Sequence, residues 1–100
     1  MKKIFTGQKV ATAGVREKLG AGIELILWNL VEEFAKEDPF IIIEIEGKNV
    51  RLSQEQPERM QKFNLKDSVK EFIPNIDTIR FKLWAIDNEE YCTLLFPEEY

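Results

Sequence analysis

The hydrophobic period of this chain changes at Asp38-Pro39, and that change limits the fold more than any other feature of the sequence. Before it, Ile23, Ile26, Leu27, Leu30, Val31 and Phe34 recur at i, i+3, i+4, i+7, i+8 and i+11, the stripe of an amphipathic α-helix. The spacing predicts one long helix over residues 22–37. Gly20 or Gly22 opens it, Glu24 suits the positive end of its dipole, and Asp38-Pro39 ends it because a residue before proline avoids the α region. After Pro39 the period falls to two. Ile41, Ile43 and Ile45 take one face of a strand and Phe40, Ile42, Glu44 and Glu46 the other.

The same two-residue period continues in pieces. Glu46-Gly47-Lys48-Asn49 reads as a turn, and Val50 and Leu52 resume the alternation, which predicts a β-hairpin. Gln54 to Glu58 reads as a polar loop, and Met60 to Leu65 as a further strand with Phe63 and Leu65 inward. Ser68-Val69-Lys70-Glu71 has the form of a capping box, and Val69, Phe72 and Ile73 then predict a short helix over residues 68–73. Ile79, Phe81, Leu83 and Ala85 alternate with Thr78, Arg80, Lys82 and Trp84. Asp87 to Glu90 makes a turn, and Cys92, Leu94 and Phe96 face inward on the return; an early strand covers Lys9 to Thr12. The expected fold is α+β and two-layered, one long helix on a mostly antiparallel sheet of four to six strands. With 100 residues, 44% of them hydrophobic, the chain is expected to close its core as a single domain over residues 1–100.

Composition removes whole classes of chemistry. The chain has no histidine and one cysteine, which excludes Ser-His-Asp and Cys-His catalysis, His-ligated metals, Cys₂His₂ and Cys₄ zinc, and internal disulfides. No Gly-x-x-x-x-Gly-Lys-Ser/Thr segment is present, so a P-loop is excluded as well. Acid pairs such as Glu32/Glu33, Glu44/Glu46, Glu89/Glu90 and Glu98/Glu99 read as solvated surface. No enzyme activity, catalytic residue, cofactor or metal is expected. The basic start lacks the apolar stretch of a signal peptide, and the purely apolar runs reach only four residues, so neither export nor a membrane partner is expected. Cys92 alone in a strand-like run fits a reduced, cytoplasmic setting.

Four segments carry a resemblance. Thr12-Ala13-Gly14-Val15, Leu27-Trp28-Asn29-Leu30, Gln54-Glu55-Gln56-Pro57-Glu58 and the stretch from Tyr91 to Tyr100 together resemble an uncharacterised family of small proteins from low-GC Gram-positive bacteria (Firmicutes), catalogued as a domain of unknown function. The resemblance runs over nearly the whole chain and implies a bacterial, cytoplasmic protein. It brings no activity, ligand or site residue. The family is basic where this chain has Ala13, so no charged role for that loop carries over.

Three surfaces remain as candidate sites. Gly20-Ala21-Gly22 starts a dinucleotide fingerprint but has Leu25 at its third glycine position. A glycine loop feeding a helix N-terminus still offers N–H groups to an anion, and Arg16 and Lys18 lie just upstream of Gly20 and Gly22. Arg80, Lys82 and Trp84, at i, i+2 and i+4, project from one strand face, two cations beside an indole, and Arg51 can join them as a nucleic-acid face. Residues 48–82 carry eight bases against five acids, whereas residues 87–100 carry five acids and no base; ion pairing across the last hairpin is therefore the plainer use of these cations. Leu25 and Trp28 lie off the helix's apolar stripe, where an indole needs a cover: a loop or tail of the chain itself (Phe96 to Tyr100, for example), a second layer, or another molecule. The sequence is read as a non-enzymatic adaptor or regulatory domain that contacts a protein partner, or a second copy of itself, through Leu25 and Trp28. The alternative is a weak nucleic-acid or nucleotide binder using Arg51, Arg80, Lys82 and Trp84.

Overall fold

The computed structural model describes residues 4–100 and builds one six-stranded sheet. Its strands are β1 (Gln8–Ala11), β2 (Phe40–Glu46), β3 (Asn49–Glu55), β4 (Glu58–Asn64), β5 (Arg80–Asp87) and β6 (Tyr91–Leu95), in the spatial order β1-β6-β5-β2-β3-β4. All pairs are antiparallel except β1 with β6. The α+β content and the mostly antiparallel sheet agree with the sequence reading. The early strand runs over residues 8–11 instead of 9–12.

The single long helix is a correction. Two helices stand in its place, α1 (Ala13–Leu19) and α2 (Ala21–Phe34), separated by Gly20 at φ 84°. Thr12 caps α1, its hydroxyl accepting the Val15 N–H at 3.2 Å. With only Val15 and Leu19 buried, α1 is too short to show a period in the sequence. Helix α2 stops at Phe34, earlier than Asp38. Residues 35–39 instead tie the helix end to the β3–β4 turn. The Gln54 amide donates to the carbonyls of Lys36 and Pro57 and accepts the Lys36 N–H, while the buried Asp38 carboxylate accepts N–H groups from Phe40, Glu55 and Gln56. The expected polar loop at residues 54–58 is thus a tight hairpin turn.

The 68–73 helix is a 3₁₀ turn over Asp67–Glu71 that starts after Lys66 with no side-chain cap bond, so Ser68 and Glu71 form no capping box. An Ile73 N–H to Val69 carbonyl bond of 2.9 Å stacks those two residues on the buried side and turns Phe72 out to solvent. One hydrophobic core joins Ile41, Ile43, Ile45, Val50, Leu52, Leu83, Ala85, Cys92 and Leu94 from the sheet to Val15, Leu19, Ile23, Leu27, Val31 and Phe34 from the two helices. Each large aliphatic side chain buried there contributes ~1.5–3 kcal/mol. Among the described residues neither α-helix packs on the other face of the sheet, where the 3₁₀ turn Pro97–Glu99 brings Tyr100 against Trp84.

Candidate functional site

Register decides what the uncovered face presents. Directly paired residues share a face, so β5, β2, β3 and β4 lay down rows of side chains across the sheet. One row is Lys82, Glu44, Arg51 and Lys62; the next is Arg80, Glu46, Asn49 and Asn64. These eight residues line most of an open groove of ≈ 650 Å³. Beyond the Lys82 row comes Trp84, Ile42, Ser53 and Met60. Trp84 is packed with Phe40 at 5.0 Å between ring centroids and meets Tyr100 edge-on at 5.6 Å. All four residues of the predicted nucleic-acid face therefore meet on one surface.

The charges within the groove are unevenly matched. Arg51 pairs with Glu44 at 2.6 Å and Arg80 with Glu46 at 2.5 Å. The hydrogen bond from Arg51 holds the Glu44 carboxyl below its ordinary value, with the positive fields of Arg51 and Lys82 acting the same way. Lys62 and Lys82 have no ion-pair partner among the described residues. The acids of residues 87–100 do not neutralise this face: β6 pairs with β5 only from Trp84 to Asp87, so its register ends before Lys82 and Arg80. In place of ion pairing across the last hairpin, Arg80 pairs with Glu46 on β2. Lys62 escapes sequence reading because only the β3–β4 register sets it beside Arg51.

The helix surface divides. Trp28 is 6% exposed, covered by Phe5 at 6.2 Å between ring centroids and by the Lys9 ammonium 6.0 Å from the indole. It belongs to the core, and the exposure that a contact through Trp28 requires is absent. The cover comes from the N-terminal segment, not the C-terminal tail. Leu25, in contrast, is 65% exposed. It lines an apolar groove of ≈ 390 Å³ with Gly22, Ile26, Leu65, Lys66, Ser68, Val69 and Phe72, the last 77% exposed. Phe72 was missed as a surface residue because the apparent capping box assigns it an inward place.

The anion-loop residues do not converge on a ligand position. Arg16 holds Glu24 with two hydrogen bonds of 3.1 Å, Lys18 lies 5.3 Å over the Phe96 ring, and Gly22 faces Ile73. Gly20 supplies the positive φ that lets α1 turn into α2. The first turn of α2 already contains the buried Glu24 carboxylate. Cys92 is buried under the same helices, and desolvation pushes its thiol up, away from the reactive thiolate.

No protein-family model matches the chain, and no curated protein matches it. A solved structure from Enterococcus faecalis, described as a protein of unknown function, has a similar fold, with a TM-score of 0.73 over 100% of this chain and 97% of that one at 16% identity. No helix among the described residues is long and apolar enough to cross a membrane.

Proposed function

We propose that this chain is a non-enzymatic adaptor or regulatory domain that binds another protein through the apolar groove between α2 and the Leu65–Phe72 segment. The observation that carries this reading is the pair Leu25 and Phe72, two large side chains left in water on opposite walls of one groove. Isolated exposed apolar residues are ordinary, but two that wall an almost wholly apolar groove resemble the anchor position of an interface. The exposure of Leu25 supports the contact read from the sequence, and in this proposal Phe72 replaces the buried Trp28. The non-enzymatic reading is supported by the lack of histidine and by the burial of the single thiol. The free, buried Cys92 also suits a reducing, cytoplasmic setting. The likeness to the Enterococcus faecalis structure over the full chain supports placing the protein with the small Firmicutes proteins that its sequence resembles.

Capture from a bacterial lysate, followed by sedimentation with the captured partner and with the chain alone, tests the reading. Leu25→Ala combined with Phe72→Ala is expected to weaken association tenfold or more while thermal melting stays within a few degrees of wild type. Association that survives the double substitution unchanged would remove the groove from the contact.

A further inference from the structure

We infer that the uncovered face of the sheet binds single-stranded nucleic acid, with Lys62 and Lys82 meeting phosphates and the Trp84–Tyr100 aromatic corner stacking a base. The site is independent of the apolar groove beside α2 and goes beyond the protein-contact reading.

Three chemistries lie together here. Neighbouring strands are ~4.8 Å apart, so the row from Lys82 through Glu44 and Arg51 to Lys62 crosses three strand spacings, about 14 Å, with a cation at each end. Arg51 and Arg80 are braced by Glu44 and Glu46, which fixes their guanidinium planes, whereas the two terminal lysines remain available to an incoming anion. Four bases against two acids leave the groove cationic inside a chain of net charge -4. Beside the cations stands an aromatic corner. Trp84 lies two residues along β5 from Lys82 on the same face, and Tyr100, edge-on to it, is 83% exposed. Asn49 and Asn64 face each other across β3 and β4 in the adjoining row and offer amide donors and acceptors of the sort that read base edges. The groove is open to solvent, which suits an extended strand. A single strand brings phosphate, base face and base edge at short repeats, so it uses all three chemistries. An acidic peptide would use the lysines alone and leave the rings uncovered.

The test is fluorescence anisotropy of a labelled mixed-sequence 12-nucleotide DNA and its RNA equivalent, titrated with the full chain from low to physiological salt. Intrinsic fluorescence is followed in parallel, since Trp28 is buried and quenching by a stacked base reports Trp84. The expected result is binding at low salt that weakens steeply as salt rises, with quenching of the indole. Lys62→Glu with Lys82→Glu should cut affinity at least tenfold and flatten the salt dependence, each phosphate contact being worth about 0.7 of the logarithmic slope for a single strand. Lys36→Glu, outside the groove, matches the charge change of Lys62→Glu or Lys82→Glu made singly and should retain more of the affinity than either of those. Tyr100→Ala should weaken binding and reduce quenching without lowering the melting temperature. Absence of binding at low salt, salt-independent binding, or equal loss from Lys36→Glu overturns the proposal. Competition by polyglutamate as strong as by unlabelled oligonucleotide overturns it in favour of an acidic protein ligand. Equal affinity for a duplex of the same length overturns the single-strand assignment.

Discussion

Glu44 sits between two cations on the uncovered face, and its titration should be visible in the stability of the whole chain. The Arg51 hydrogen bond holds its carboxyl below the ordinary 4.5. A depressed value in the folded state means that the pairing stabilises fully above the unfolded value and is lost as pH falls through the folded one. Both partners are more than a third exposed, so solvent screening keeps the gain small. Urea midpoints measured from pH 6 down to pH 3 should therefore fall for wild type, and less steeply for Glu44→Gln. Identical slopes would show that the pair contributes nothing. Other residues also take their roles from neighbours. Glu24 is a carboxylate 6% exposed, acceptable there only because Arg16 reaches over from α1 to meet both of its oxygens. Arg16 was singled out in the sequence as an anion ligand, and the anion it binds is this one.

Helices α1 and α2 depend on the joint between them. Gly20 has φ 84°, a region costly to residues with a Cβ, and nothing lies within 4 Å of where that Cβ would be. The penalty for Gly20→Ala is therefore one of backbone conformation with no steric contribution. With ψ 161° as well, the position lies in a region essentially confined to glycine, so the substitution should lower the unfolding free energy by about 1–3 kcal/mol, read from chemical denaturation, and a D-alanine introduced by chemical synthesis should restore it. An unchanged stability for Gly20→Ala would mean that the joint relaxes into one continuous helix. The same joint explains the shift in the buried stripe of α2. Ile26 and Leu30 are only partly buried, while Glu24 and Trp28 are buried, because α1 and the N-terminal segment cover that flank. The period read from the sequence marked the helix correctly, but the direction of burial was set by what packs beside it.

Across the whole molecule the sheet places β5 and β2 at its centre, bonded on both sides, with β1 and β4 at its edges. Native-state hydrogen exchange should follow that order, slowest for Ile41, Ile43, Leu83 and Ala85 and fastest for outward-pointing amides of β4. Uniform protection across all six strands would contradict the edge assignment. The edge at β4 carries Arg59 and Lys62, charges that discourage a second sheet from adding there. Residue type and spacing along the chain determined most of the strands of this protein, a helix within the expected span of residues 22–37, and the exclusion of Ser-His-Asp and Cys-His catalysis and of histidine-ligated metals. Even the pairing of Arg80, Lys82 and Trp84 on one face needed only the period of a strand. The break at Gly20, the cover over Trp28, the exposure of Phe72 and the meeting of Lys62 with Arg51 were decided only in three dimensions. Each depends on which distant segment arrives alongside, and that is set by strand order, register and competition for the core, quantities that no local spacing contains.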